Sequence, residues 1–228
     1  EINNLGYTAD RDSYRPHLVS YLKQQESGLC ANCRHRIDAN PLRVLDCKVP
    51  ECRAITETAP RLGDSLSEAA RSYFTQVLTG LDAIKIPYSL NHRLVRGLDY
   101  YNLTTFEVTA TNLGAQNAVG AGGRYDQLVE TLGGPPTPAV GFAIGLERMS
   151  MLLPESTTGR APEDLTIYVA GFGNHGAVTG LTALEELRLT GLRAVSDFRS
   201  ITLKAHLRQA DRLASRFTLI IGDDEVVK

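Results

Sequence analysis

The order of the chain changes once, and that change limits the folds open to it. Residues 154–163 have the composition of a linker, being polar, flanked by Pro and Gly and without periodicity. Beyond them the pattern reads strand 165–169, helix 176–190, strand 193–195, helix 202–216, strand 217–221. Strands alternating with helices at this spacing predict a parallel sheet of βαβ units. Three strands with two helices are about half of a usual α/β domain, so 164–228 reads as a truncated α/β domain.

Before the linker the pattern is different. Residues 1–7 read as the tail of a strand that begins before residue 1. Ser13-Tyr14-Arg15-Pro16 fits a helix start, with a hydroxyl cap and proline in the first turn, and predicts a helix to about Gln25. Residues 30–52 are polar and broken by Pro41 and Pro50, which predicts short turns, and helical periodicity then runs from Leu62 to near Lys85. Residues 10–87 therefore read as a helical insertion. It divides a β-rich domain made of 1–9 and 88–153, with strands expected at 86–90, 104–109 and 117–122 and helices at 125–132 and 141–153. Strands joined this closely are antiparallel, an α+β layout.

The 228 residues suffice for two cores, and a net charge of -2 gives no global pull toward nucleic acid or membrane. No apolar run approaches the ~20 residues that span a bilayer, and the start has no secretory pattern, so the expected compartment is the cytoplasm. There the four cysteines remain reduced. Their spacing, Cys30-x2-Cys33-x13-Cys47-x4-Cys52, lies within reach of tetrathiolate zinc, with plain buried thiols as the alternative. Arg34, His35, Arg36, Arg43, Lys48 and Arg53 surround them, a local basic face that suits an RNA backbone or is simply a solvated surface.

Between Leu94 and Arg148, glycines recur beside charged or phenolic side chains, as a pocket for a phosphate-bearing ligand and a ring requires. Arg96-Gly97-Leu98-Asp99-Tyr100-Tyr101 with Thr105-Phe106-Glu107, Ala121-Gly122-Gly123-Arg124-Tyr125-Asp126, and Gly141-Phe142-Ala143-Ile144-Gly145-Leu146-Glu147-Arg148 resemble, in order, two histidine-specific signatures and the third class II motif of bacterial histidyl-tRNA synthetases. Asn40-Pro41-Leu42-Arg43-Val44-Leu45-Asp46 resembles a run of that family's inserted helical domain, and Lys204 with Arg208-Gln209-Ala210-Asp211 resembles a run of its anticodon-binding domain. Leu103 departs from the pattern, standing where a Gly or a basic residue is expected, and Ser200-Ile201-Thr202 replaces a Gly-Arg-Ser run.

The resemblance implies a homodimeric class II enzyme that activates histidine with ATP and Mg²⁺ and passes it to tRNA(His). This chain would hold the second half of the catalytic domain, the first two class II motifs lying before residue 1, and would be inactive alone. Arg96 would contact the α-phosphate and the substrate carboxylate, since a guanidinium makes two parallel bonds where lysine makes one. By the same resemblance Tyr101 and Tyr125 bind the imidazole with Tyr100 nearby, Gly122 and Gly123 let backbone approach the amino acid, and Gly145 and Arg148 take the nucleotide, with Glu147 in a supporting role. A different class of protein shares the early motifs: a histidine-sensing regulatory paralogue, the accessory subunit of ATP phosphoribosyltransferase, which lacks an anticodon-binding domain.

Overall fold

The computed structural model describes residues 1–95, 100–114, 117–153, 166–199 and 202–226. They gather into two compact units, Glu1–Gln76 with Tyr88–Pro154, and Val77–Pro87 with Glu155–Lys228. The expected linker at 154–163 lies outside the described residues.

The first unit carries an antiparallel sheet of β1 (Ile2–Asn4), β2 (Asn102–Thr109), β3 (Ala118–Arg124) and β4 (Val140–Ile144), in that order. Two expectations about this sheet need correction. The strand at 86–90 is reduced to one bridge between Leu90 and Ile2, because Pro87 has no N–H to give and Ile86 and Leu90 stay exposed. The helix expected over 141–153 is a strand followed by a helix. Gly141 through Ile144 pair with β3, and α7 (Leu146–Leu152) begins only after Gly145. The apolar residues there fit both periods, and backbone pairing with a glycine-rich neighbour decides between them.

Helix α1 (Thr8–Gln24) starts earlier than Ser13, which puts Pro16 in its interior. The reason is a capping box: Asp10 accepts the N–H of the cap residue Tyr7 at 2.8 Å, and the Ser67 N–H, also at 2.8 Å, holds the same carboxylate. Short helices α2 (Ala31–Ala39), α3 (Leu42–Leu45) and α4 (Pro50–Glu57) follow, then α5 (Glu68–Ala83), and a short α6 (Leu128–Thr131) lies between β3 and β4. Tyr14, Leu18 and Leu22 of α1, Ile37 of α2, Val44 of α3 and Cys52 of α4 share one core with Leu5, Tyr101 and Leu103, so the insertion and the sheet are packed on common ground.

The second unit is the parallel sheet that the alternation predicts, in the order β6 (Arg193–Val195), β5 (Thr166–Gly171), β7 (Phe217–Ile221), with helices α8 (Asn174–Leu189), α9 (Leu203–Arg212) and α10 (Asp223–Val226). Side chains alternate across the central strand: Tyr168 and Ala170 pack with Ala210 of α9, and Val169 packs with Leu184 of α8 and Ala194. Gly173 caps the start of α8 with a φ of 82° that only glycine adopts cheaply, and the Asp223 carboxylate accepts N–H bonds from Asn174, His175 and Gly176 at 3.3, 2.8 and 3.0 Å. These bonds hold the Asp223 carboxyl below its usual range.

Candidate functional site

Strand β3 organises the site because its glycines let rings and strands come close. Tyr100, Tyr101 and Tyr125 converge on its end, with ring centroids 4.8 Å apart for Tyr100 and Tyr101, 5.6 Å for Tyr100 and Tyr125, and 6.1 Å for Tyr101 and Tyr125. Tyr101 is buried while Tyr100 and Tyr125 keep an open side. A Cβ on Gly123 would sit 2.7 Å from the Tyr101 ring and 2.8 Å from the Thr104 carbonyl, and one on Gly141 would strike the Tyr125 hydroxyl. A Cβ on Gly122 would strike the Gly141 carbonyl and lie 2.8 Å from the Phe106 ring. The glycines of the signature therefore seat the tyrosines and allow the tight approach of β4.

Three contacts support this pocket, and the first of them, from Arg11, lies outside every motif. The Arg11 guanidinium of α1 donates to the carbonyls of Gly6 and Tyr101 at 3.2 and 3.3 Å, tying helix to pocket. Asp126 accepts both Arg124 contacts at 2.8 Å and an Asn102 amide at 3.1 Å, which fixes the chain on either side of Tyr125. Leu103, the departure from the family pattern, adopts φ 50° at a break in register between Asn102 and Thr105. Glycine would take this conformation without strain. Leucine holds it through two backbone bonds, to Gly6 at 2.9 Å and from Leu5 at 2.6 Å, and through a side chain that is completely buried.

At the other end of β3, Arg148 of α7 donates to the Ala118 carbonyl at 2.5 Å and is half-buried. An added Cβ on Gly145 would make only ordinary contact with Arg148 and Val119, so packing does not demand a glycine there. The strand thus separates the tyrosines from Arg148 by roughly 20 Å at the usual rise per residue. Arg96, with Gly97 to Asp99, lies outside the described residues.

Two further features flank the pocket. A cleft of about 270 Å³ is lined by Arg11, Arg15, Arg43, Asp12, Val95 and Tyr101, so the inserted helices bring three cations and one acid to the edge of the tyrosine cluster. Of the basic residues read around the cysteines, Arg43 lines this cleft, Arg53 lines another beside Arg93, and Lys48 is paired with Asp46 at 2.7 Å. The cysteines themselves converge: the Sγ atoms of Cys30, Cys33, Cys47 and Cys52 all lie within 4.8 Å of one another. The Cys33 backbone N–H, helped by the neighbouring thiols, draws the Cys30 thiol down to about 7, and burial pushes Cys33 and Cys52 up.

A sequence profile of the family described as Histidyl-tRNA synthetase matches residues 37–149, which include the tyrosines, Arg148 and, of the four cysteines, Cys47 and Cys52. The histidine--tRNA ligases of Anaeromyxobacter dehalogenans and Trichlorobacter lovleyi are 46% and 43% identical, covering 99% and 100% of this chain and 55% and 54% of their own length. The crystal structure of apo S. aureus histidyl-tRNA synthetase is 34% identical with a TM-score of 0.53, covering 99% of this chain and 56% of that one. The likeness to it bears out the antiparallel, class II synthetase-like reading of the sheet with its helices. By its motifs, its sequence relatives and its fold, the chain belongs to the histidyl-tRNA synthetase family, and it spans about half the length of the curated relatives it matches.

Proposed function

We propose that this chain supplies the histidine pocket and part of the nucleotide site of an enzyme that activates histidine with ATP and charges tRNA(His). In the first step a carboxylate oxygen of histidine attacks the α-phosphorus of Mg²⁺-bound ATP, the bond to pyrophosphate breaks, and histidyl-adenylate forms. In the second a ribose hydroxyl of the tRNA attacks the activated carbonyl and AMP departs. Neither step needs a covalent enzyme intermediate, so the protein's task is placement and charge stabilisation.

The observation that carries this reading is the set of three tyrosines seated on glycines at one end of β3. Tyr101 and Tyr125 hold the imidazole through ring contact and hydroxyl hydrogen bonds, and Tyr100 closes the side. Backbone at Gly122 and Gly123 borders the amino acid. Arg96, on the family's pattern, meets the α-phosphate and the histidine carboxylate. Arg148 receives the adenine face or the outer phosphates, and the glycine at position 145, unexplained by packing, leaves space for the nucleotide. Glu147, in the first turn of α7, acts through the Mg²⁺ that accompanies the phosphates.

The inserted helices, with the arginine-lined cleft, face the acceptor end of the tRNA, and the parallel unit reads its anticodon. That unit also favours the synthetase over the regulatory paralogue, which lacks such a domain. On this reading the protein works as a homodimer in the cytoplasm. Among the described residues no helix is long and apolar enough to cross a membrane. The isolated chain is proposed to be inactive, because it spans about half of the relatives' length.

The test is histidine-dependent pyrophosphate exchange in a protein of the relatives' full length that contains this chain. Tyr125→Phe removes one hydroxyl bond to the imidazole and should raise KM for histidine about tenfold while KM for ATP stays in place. An unchanged KM for histidine, or robust exchange by the isolated chain, would overturn the assignment.

A further inference from the structure

The four thiols take no part in the reaction above, yet their geometry is that of a site. We infer that Cys30, Cys33, Cys47 and Cys52 bind one Zn²⁺ as a structural tetrathiolate, and that this centre, acting through Arg93, fixes the segment 91–95 that leads into the tyrosine pocket.

Distances carry the first half. A tetrahedron with zinc–sulfur bonds of about 2.3 Å has sulfur–sulfur edges of about 3.8 Å. The four Sγ atoms lie within 4.8 Å of one another, so each needs only a small inward shift to meet one ion, and all four cysteines are free of disulfides. A four-iron cluster would hold the sulfurs farther apart, since iron and sulfide fill its centre. Cys33, Cys47 and Cys52 are buried and Cys30 is half-buried, which suits a closed centre with no open position for catalysis.

The ligands also come from well-placed backbone. Cys30 immediately precedes α2 and Cys33 lies in its first turn, Cys47 follows α3, and Cys52 lies in α4. The Cys30 N–H donates to the Cys52 Sγ at 3.2 Å, the kind of outer hydrogen bond that orients a metal-bound thiolate. A Zn(Cys)₄ centre carries net charge -2, and Arg34, Lys48 and Arg53 directly follow ligands while Asp46 and Glu51 directly precede two of them, all with side chains in or near solvent. The fold has a use for the ion. Helices of nine, four and eight residues are marginal on their own, and one cross-link joins all three.

Arg93 carries the second half. Its guanidinium donates to the Leu45 carbonyl at 3.2 Å, the Arg53 carbonyl at 3.2 Å and the Thr56 hydroxyl at 2.7 Å. Leu45 is two residues before Cys47, and Arg53 directly follows Cys52. The same ion that sets the spacing of α3 and α4 therefore sets the spacing of all three acceptors. Leu94 and Val95, the next two residues, are buried, and Val95 borders the cleft beside Tyr101. Loss of metal should accordingly loosen residues 91–95 as well as the helices.

Elemental analysis of the full chain, purified without chelator, should give about one zinc per chain. Replacement by Co²⁺ should give the intense visible absorption of tetrahedral thiolate coordination, and thiol reagents should reach the four cysteines only after chelation. Cys47→Ser should lower zinc content, but it could also unfold the insertion, so Arg93→Ala is the second variant. It should keep its zinc while hydrogen-exchange protection at 91–95 falls about tenfold or more, and Arg93→Lys should restore only part, because lysine cannot reach three acceptors in one plane. Wild-type protein that is metal-free with four readily titrated thiols, or that carries iron or copper instead, would overturn the site. Full protection at 91–95 in Arg93→Ala or in chelated protein would overturn the coupling. The metal and exchange readouts do not depend on histidine, so they stand apart from the proposed reaction.

Discussion

The two units are stabilised in different ways. In the first, helices and sheet share one continuous core, and buried polar groups such as Asn4, Asp10 and Asn102 bind backbone or side chains distant in sequence. In the second, the central strand β5 is covered by two small clusters, one on each face, while Phe217, Leu219 and Ile220 of β7 remain exposed. Local period alone accounts for most of the second unit. The first needs contacts across a hundred residues, and that is where a site with several fixed rings is found.

Five substitutions would sharpen or break this contrast. Leu18→Ala should cost about 4 kcal/mol and Leu184→Ala about 2 kcal/mol, although both side chains are fully buried, because a small cluster relaxes into the cavity more easily than a continuous core. Urea unfolding of each variant, followed by exchange protection within the unit concerned, is the measurement, and equal costs would erase the contrast. Gly123→Ala should cost about 2–3 kcal/mol by overpacking, since the Thr104 carbonyl cannot move as a side-chain tip can. Near-ultraviolet circular dichroism should report displaced tyrosines, and an unchanged spectrum would show that the ring seat is looser than described.

Tyr168→Phe in the second unit should cost about 1 kcal/mol, because it removes the 2.9 Å bond between the Tyr168 hydroxyl and Nδ1 of buried His206, whose Nε2 already has no partner. Thermal unfolding as stable as wild type would mean that this pair adds nothing to the thin core. The smallest effect belongs to Asp223. Its folded-state carboxyl titrates below the ordinary value of 3.8, so its contribution is present above that pH and is lost as pH falls through the depressed value. Asp223→Asn should lower exchange protection in the first turn of α8 at neutral pH and remove that acid step, while the first unit's acid response stays the same.

The same contrast explains how far the residues could be read. The strands 193–195 and 217–221 are where the alternation puts them, because βαβ units are built from local periods and short connections. The helix start at Ser13 and the helix over 141–144 fail for different reasons: the capping box of Tyr7 and Asp10 starts the helix earlier, and pairing with β3, a distant contact that no local period shows, turns 141–144 into a strand. The tyrosines and glycines of the site are legible as motifs. Arg11 and Arg93 are not, since an arginine that binds backbone carbonyls has no sequence signature.

The sequence by itself determined the family, the alternation of the second unit and the residue types of the pocket, because these follow from period, spacing and side-chain chemistry. Only the tertiary structure decided that the insertion and the sheet share a core, that Gly123 and Gly141 make room for Tyr101 and Tyr125, and that four cysteines spread over residues 30–52 meet at one point. Each of these is a distance between atoms far apart along the chain, and such distances exist only once the core has closed around them.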